Sequence, residues 1–141
     1  TAIAETFVAT LAVTAPTIAV VTGEGGSGGA LAIAATDRLL MQDDAVFEVI
    51  APEGAAAILH RDPTRAEEVA GHLAPTASQL RRLGICDRTI PGPTTFDPVT
   101  AATALRTEVI ATLAELDDDP DRLIARAVRY GPLPTSTGGR R

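Results

Sequence analysis

Residues 17–35 read TIAVVTGEGGSGGALAIAA, and this stretch decides the fold. A β-branched, apolar run enters it, five glycines follow within residues 22–30, and a run rich in alanine and leucine leaves it. This order predicts a strand, a glycine loop and a helix. Glycine lets the backbone approach a ligand closely, and a helix start presents unpaired N–H groups and the positive end of the helix dipole. The stretch therefore predicts a site where backbone amides hold negative charge.

Three chemistries fit the glycine loop, and a fourth possibility is a tight turn with no chemistry. Residues 23–28, GEGGSG, satisfy the dinucleotide-binding pattern G-x-G-x-x-G, and Asp43 stands 20 residues after the first of these glycines. Residues 25–29, GGSGG, satisfy G-x-S-x-G, in which Ser27 would be a hydrolase nucleophile. The third chemistry uses no side chain, because the N–H groups of residues 28–30 would form an oxyanion hole. A phosphate loop of the lysine-bearing type is excluded because the chain contains no lysine.

The order of the predicted elements weighs against the first two chemistries. Strands are predicted at residues 38–42 and 46–50 with an Asp-Asp turn between them. A dinucleotide-binding fold needs a crossover helix between successive strands. A serine hydrolase needs a histidine base, but His60 and His72 fall near the ends of predicted helices among apolar neighbours. Both histidines are more simply surface or packing residues, and the hydrolase with Ser27 as nucleophile stays an alternative.

Composition limits which classes of protein the chain can belong to. The chain has 141 residues, which suits one domain with a core, and only 3% of them are aromatic. A net charge of −6 argues against nucleic-acid binding, and no apolar run is long enough to span a membrane. Cys86 is the only cysteine, so no internal disulfide can form and a reducing, cytoplasmic setting is expected. No cysteine cluster offers a metal site.

The remaining pattern predicts one α/β domain. Helices are predicted at residues 2–12, 28–36, 55–60, 62–69, 76–84, 97–116 and 119–130, and strands at 17–22, 38–42, 46–50 and 85–90. Ile3, Phe7 and Leu11 share one face of the first helix, and a capping box at residues 76–79 opens the fifth. Residues 1–134 are assigned to the domain, and the tail at 135–141 is predicted to be disordered.

Five motifs, in this order, resemble one protein family. They are GEGGSGGAL at 23–31, VIAPEGAAAIL at 49–59, TA at 76–77 with LGICD at 83–87, IPGP at 90–93 and RY at 129–130. Through them the chain resembles the C-terminal portion of the alpha-type subunit or domain in the carboxyltransferase component of biotin-dependent acetyl-CoA carboxylase. Three positions depart from that family's pattern: Phe47 stands for tyrosine or serine, Ala51 for serine and Gly92 for glutamate.

The resemblance implies a fold and a reaction. The fold is crotonase-like (ClpP/crotonase), an α/β architecture of stacked ββα units with peripheral helices. The reaction transfers a carboxyl group from carboxybiotin to acetyl-CoA and gives malonyl-CoA, the first committed step of fatty acid biosynthesis. Its charged intermediates are oxyanions, so paired N–H donors suit it better than a side-chain nucleophile. By resemblance, the amides of Gly28, Gly29 and Ala30 hold the biotin ureido oxygen, with Gly29 and Ala30 as the favoured pair.

The same resemblance implies further site residues. The biotin-binding surface would be lined by seven more residues: Gly25, Gly26, Ser27, Phe47, Pro52, Glu53 and Gly54. A helix-capping turn is the simpler interpretation of the last three.

The resemblance also implies partners. Biotin, carried on a protein, is the expected cofactor, and acetyl-CoA is the expected substrate, with propionyl-CoA or another acyl-CoA as the alternative. No metal is expected in this chain. A beta-type carboxyltransferase half would hold the acetyl-CoA enolate. Biotin carboxyl carrier protein and biotin carboxylase would complete an oligomer that binds neither nucleic acid nor membrane.

Overall fold

The computed structural model describes residues 2–94 and 96–131. Its helices are α1 (Ala2–Ala12), α2 (Ser27–Ala34), α3 (Pro52–His60), α4 (Ala66–Ala70), α5 (Ala77–Arg82), α6 (Pro98–Asp117) and α7 (Arg122–Tyr130), with a 3-10 turn at Pro63–Arg65. Its strands are β1 (Ile18–Val21), β2 (Glu24–Gly26), β3 (Arg38–Gln42), β4 (Val46–Glu48) and β5 (Arg88–Ile90). The tail predicted at 135–141 lies outside the described residues. Within the described part of the chain, no helix combines the length and apolar composition that crossing a membrane requires.

Two ββα units form the centre of the fold: β1, β2 and α2, followed by β3, β4 and α3. The first strand of each unit lies in a parallel sheet of order β1-β3-β5, and the second strand lies in a separate parallel pair, β2-β4. Val20 pairs with Leu40 in the first sheet, and Gly25 pairs with Phe47 in the second. The stacking of ββα units that the resemblance implies is therefore confirmed.

The glycine-rich stretch contains a strand that the sequence does not predict. Glu24–Gly26 forms β2 and pairs in parallel with β4, although two of its three residues are glycines with poor strand propensity. The pairing is backbone to backbone, and the Val46 N–H also donates to the Gly23 carbonyl over 2.8 Å. The predicted loop is thus corrected to a short strand, because the ladder with β4 overrides local propensity.

Several predicted boundaries shift. The helix expected from residue 55 begins at Pro52, which fits the first helical turn, and the helix expected at 62–69 divides into the 3-10 turn and α4. The strand expected at 85–90 shortens to β5, because the N–H groups of Ile85 and Cys86 both turn back to the Leu80 carbonyl. The strand expected at 46–50 ends at Glu48. The capping box at the start of α5 is confirmed, with Thr76 and Gln79 bonding reciprocally.

The core is built around β3, the central strand of its sheet. Leu39, Leu40 and Met41 are each at most 2% exposed. Such a continuous apolar run is typical of a parallel strand covered on both faces. Small side chains such as Ala19 and Ala34 complete the cluster around them, as a chain with few aromatics requires.

A buried ion pair joins the starts of β1 and β3 to α7. Arg126 Nε donates to Asp37 Oδ1 over 2.7 Å, and both side chains are at most 2% exposed. Asp37 also accepts from the Thr17 N–H at 2.8 Å and the Thr17 hydroxyl at 2.9 Å. Burial alone would raise the pKa of Asp37, but the hydrogen bonds from Arg126 and Thr17 outweigh it and hold that pKa below its usual range. The pair therefore requires Asp37 to be ionised.

Candidate functional site

The start of α2 is a helix end without a side-chain cap. Gly26 precedes α2 with an extended backbone (φ −128°, ψ 156°), and no side chain caps this end of the helix. The N–H groups of the first turn therefore have no partner within the helix. The positive end of the helix dipole lies at the same place. An anion placed before this turn would be stabilised by the free N–H groups and by the helix dipole.

The backbone at Ser27 brings together the three amides that the resemblance implies. Ser27, the first residue of α2, has a φ of 67° and so lies outside the helical region. Regular helical backbone therefore begins at Gly28, and the amides of Gly28, Gly29 and Ala30 all lie in the first turn. The preference for Gly29 and Ala30 that the resemblance implies stays a prediction.

The space around the start of α2 differs from one residue to the next. A Cβ on Gly29 would meet only Ser27 Oγ, at 4.0 Å, and a Cβ on Gly26 would meet nothing within 4 Å. A Cβ on Gly28 would instead lie 3.5 Å from Ile3 Cγ2, because α1 covers that side of the helix. A group that approaches Gly26 or Gly29 meets no side-chain atom closer than Ser27 Oγ, so these two positions leave room for a planar group such as the biotin ureido ring.

Ser27 combines an elbow-like backbone with a hydroxyl that lacks a base. Its φ is 67°, in the left-handed region, where a side chain is strained. A sharp turn from strand to helix is what a nucleophile elbow requires. Within the described residues, however, no side chain forms a hydrogen bond with the Ser27 hydroxyl: His72 Nδ1 lies 3.0 Å from the Glu68 carbonyl, and His60 is an exposed residue at the end of α3. In the described part of the chain, Ser27 thus lies at the helix start without the histidine base that a catalytic triad requires.

Phe47 supports the glycine strand from the core. A Cβ on Gly25 would lie 2.8 Å from Phe47 Cδ2 and 3.4 Å from Val21 Cγ1, so only glycine fits there without a shift of the ring. Phe47 is 7% exposed, and its N–H donates to the Pro75 carbonyl over 2.8 Å. The phenyl ring therefore sets how closely β2 approaches β4, and with it the position of the α2 start.

Two clefts flank α2. One, of about 440 Å³, runs along β1 and β2 to Ala30 and Ile33 of the helix. The other, of about 280 Å³, is almost entirely apolar and lies between Leu31, Val49 and Leu83. Phe47 lines both clefts.

The structure does not bring Pro52, Glu53 and Gly54 into either cleft. Pro52 stands in the first turn of α3, where Glu53 complements the helix dipole. A Cβ on Gly54 would lie 3.0 Å from Ile50 Cγ1, so this glycine permits close packing. Local structure therefore accounts for all three residues, and their part in biotin binding stays a prediction.

Gly92, a position of departure from the family pattern, lies against Asp44. A Cβ on Gly92 would lie 2.0 Å from Asp44 Oδ1, so a glutamate side chain has no room there while Asp44 keeps this position. The Gly92 N–H donates to Asp43 Oδ1 over 2.7 Å. Asp44 Oδ2 accepts from the Thr94 hydroxyl and N–H, and these hydrogen bonds lower the pKa of Asp44. The two aspartates of the turn after β3 thus hold the 91–94 loop.

Comparison with known proteins gives the family that the motifs indicate. A family model described as acetyl co-enzyme A carboxylase carboxyltransferase-like matches residues 1–131. The chain is 45% identical, over 134 residues, to the acetyl-coenzyme A carboxylase carboxyl transferase subunit alpha of Carboxydothermus hydrogenoformans, covering 92% of this chain and 42% of the relative. It is also 45% identical, over 131 residues, to the subunits beta/alpha protein of Salinispora arenicola, covering 91% and 23%. The chain spans less than half the length of these relatives.

Solved structures show the same fold. A Pseudomonas malonate decarboxylase hetero-tetramer, crystallised with coenzyme A, superimposes with a TM-score of 0.67 at 21% identity and covers 89% of this chain and 52% of its own. A monofunctional enoyl CoA isomerase from M. smegmatis gives a TM-score of 0.58 at 18% identity, covering 97% and 66%. The crotonase-like fold expected from the motifs is confirmed.

Proposed function

The chain belongs to the acetyl co-enzyme A carboxylase carboxyltransferase-like family, and on that premise we propose that it forms the biotin-side half of a carboxyltransferase site. The reaction is transfer of a carboxyl group from carboxybiotin to acetyl-CoA, which gives malonyl-CoA. One observation supports the assignment to this site: the start of α2 has no side-chain cap, its first-turn amides have no helix partner, and the space in front of Gly29 is open.

Carrier-bound biotin would supply the carboxyl group and, after its departure, a ureido oxygen that carries negative charge. The Gly29 and Ala30 N–H groups would donate to that oxygen, and the dipole of α2 would add to the stabilisation. These donors are fixed by the helix before any charge develops, so no reorganisation is needed when it does. Gly25 and Phe47 would not contact the ureido group. They would position the donors by holding β2, and therefore the start of α2, against β4.

A single hole of this kind stabilises one of the two oxyanions that the reaction needs. The thioester enolate of acetyl-CoA would be held by a beta-type half, so the two halves together make one active site. Biotin carboxyl carrier protein, biotin carboxylase and a cytoplasmic setting belong to the same proposal. Acetyl-CoA is the favoured substrate because the relatives named above carry it in their names. The acyl pocket would lie mainly on the other half, so propionyl-CoA stays an alternative.

The positive φ of Ser27 favours one second candidate, a serine hydrolase. A serine hydrolase needs a base beside the Ser27 hydroxyl, whereas the carboxyltransferase mechanism proposed above does not. Because the described residues place no histidine against the Ser27 hydroxyl, the backbone amides support the proposal better than the side chain does.

A reconstituted enzyme tests the proposal. This chain replaces the matching segment of the alpha-type relative from Carboxydothermus hydrogenoformans, and the hybrid is mixed with a beta-type subunit. Transfer of the carboxyl group from malonyl-CoA to biocytin is then measured. We expect transfer by the mixture and none by either component alone. A folded, assembled hybrid without transfer, or full transfer by the alpha-type component alone, would refute the proposal.

A further inference from the structure

Helix α2 ends at Ala34, whose carbonyl accepts a hydrogen bond from a residue near the other end of the chain. The Tyr130 hydroxyl donates to this carbonyl over 3.3 Å, and the Thr36 N–H donates to the same oxygen over 2.8 Å. The C-cap residue Ala35 has φ −74° and ψ 56°, outside the left-handed region, and no basic residue stands in the last turn of this fully described helix. Tyr130 therefore supplies a tertiary cap to a helix end that lacks the common local ones.

The packing of α2 fixes its position along its own axis only weakly. Its buried side chains are the small ones of Ala32 and Ala34, at 1% and 7% exposure, whereas Leu31 and Ile33 are 37% and 66% exposed. Large side chains that interdigitate with their neighbours normally hold a helix in place, and a methyl group makes few such contacts. Hydrogen bonds at the two ends of α2 therefore matter more than they would for a helix with a leucine in the core.

Tyr130 is itself held in place by its neighbours. The Arg129 guanidinium lies 5.5 Å from the centre of the Tyr130 ring, within the range of a cation–π contact. Arg129 Nη1 donates to both carboxylate oxygens of Asp87, at 3.0 and 2.8 Å, and Asp87 Oδ2 accepts from the Leu39 N–H of β3 over 2.7 Å. Burial raises the pKa of Tyr130, so its hydroxyl keeps its proton and remains a donor. The RY motif thus connects the central strand β3 to the end of α2.

We propose that Tyr130 is a positioning residue for the amides at the start of α2. The helix has eight residues and is about 12 Å long, with its hydrogen bonds running along the axis, so a displacement of its last turn also moves its first turn. The β2-β4 pair holds the start of α2 and the Tyr130 hydroxyl holds its end, and the two together set the position of the Gly29 and Ala30 N–H groups. The catalytic consequence rests on the proposed function, whereas the position of the helix does not.

Amide NMR signals of the chain test the position of α2 without an assay of activity. Tyr130→Phe removes one oxygen and keeps the ring, and we expect it to shift the signals of Gly29 and Ala30 by more than their line width. Asp97→Ala is the matched control: it removes the side-chain N-cap of α6, so it should lower the thermal midpoint and leave those two signals in place. Unmoved signals in Tyr130→Phe, or an equal shift in Asp97→Ala, would overturn the proposal.

Kinetics of the reconstituted enzyme test the consequence for the reaction. Tyr130→Phe should lower kcat about 10-fold, part of the loss of about 10²-fold that a misplacement of 1 Å causes, and should leave the KM for malonyl-CoA unchanged. Asp97→Ala should leave both constants unchanged, and circular dichroism should show both variants folded. An unchanged kcat in Tyr130→Phe would overturn the proposal. If the hybrid with Tyr130 intact transfers no carboxyl group, the proposed function fails, and the amide signals still decide the position of α2.

Discussion

Gly25 and Phe47 lie directly opposite each other in the parallel β2-β4 pair, and the Phe47 ring occupies the space that a Cβ on Gly25 would need. The distance from that Cβ to Phe47 Cδ2 would be 2.8 Å, which no side chain accepts without displacement. The contact connects the core to the strand that leads into α2. Any shift of this pair therefore reaches the amides of Gly29 and Ala30.

Gly25→Ala should destabilise the chain by about 1–3 kcal/mol, the usual cost of overpacking a filled site. Chemical denaturation measures the free energy of unfolding. Gly23→Ala is the matched control, because a Cβ there meets nothing within 4 Å. Phe47→Leu, which removes ring atoms, should offset part of the loss when it is combined with Gly25→Ala. Equal stabilities of the Gly23 and Gly25 variants would contradict this account of the pair.

Asp37→Asn should reduce the free energy of unfolding at pH 7 by about 3–5 kcal/mol, because it leaves the Arg126 guanidinium buried without a counter-charge. The pKa of Asp37 is lowered in the folded chain, so its stabilising effect is fully present above the unfolded value of about 3.9 and is lost as pH falls through the folded value.

Urea unfolding at a series of pH values from 7 to 2 measures this linkage. The wild type should lose stability below about pH 4, and Asp37→Asn should flatten that part of the curve. Glu68→Gln removes the carboxylate of the exposed pair with Arg65 and should leave the curve nearly unchanged. A wild-type curve that coincides with that of Asp37→Asn in shape would show that the ion pair carries no linkage.

Ser27→Gly separates the carboxyltransferase from the hydrolase. The substitution removes the hydroxyl, keeps every N–H and suits the φ of 67°, so the turn should be retained. In the reconstituted enzyme we expect kcat for carboxyl transfer to stay within a few-fold of wild type. Loss of transfer by at least about 10³-fold, in a folded protein, would return the serine to a catalytic role.

Gly28→Ala and Gly29→Ala form a pair that tests where the ligand approaches. Both keep their N–H, and both should stabilise α2 by up to about 1 kcal/mol, because alanine is the better helix former. The new Cβ at residue 28 would contact Ile3, whereas the one at residue 29 would enter the open space. Gly29→Ala should therefore lower kcat by about 10²-fold, the order of loss that a misplacement of about 1 Å causes, and Gly28→Ala should not. Equal kinetics for the two variants would place the ligand elsewhere.

Local sequence patterns predict several helices and strands of this fold. The run 17–35 predicts strand and helix correctly because β-branched and alanine-rich segments differ in propensity on either side of the glycines. The capping box at Thr76 is a local device and is confirmed. The ordered motifs predict the family and the crotonase-like fold, which the comparisons confirm.

Other features depend on contacts that no local pattern reports. Strand β2 exists because β4 pairs with it, and a Glu-Gly-Gly segment gives no sign of that partner. The contact between Asp44 and Gly92 joins residues 48 positions apart. In α7 the spacing predicts a helix but not which face turns inward, because the partners of Arg126 lie at the other end of the chain.

The central claim is that the amides of Gly29 and Ala30 hold the charge on the ureido oxygen. Replacing Gly29 by glycolic acid, or Ala30 by lactic acid, in the reconstituted enzyme exchanges one backbone N–H for an ester oxygen and keeps the side chain. We predict a fall in kcat of about 10²–10³ for each ester, because one oxyanion donor is lost, with little change in acetyl-CoA affinity. Replacing Ile33, in the interior of α2, by its α-hydroxy acid should cost about 0.5–1.5 kcal/mol of stability through the lost helix bond and leave kcat within a few-fold. Full kcat with the Gly29 ester, or an equal loss with the Ile33 ester, would contradict the claim.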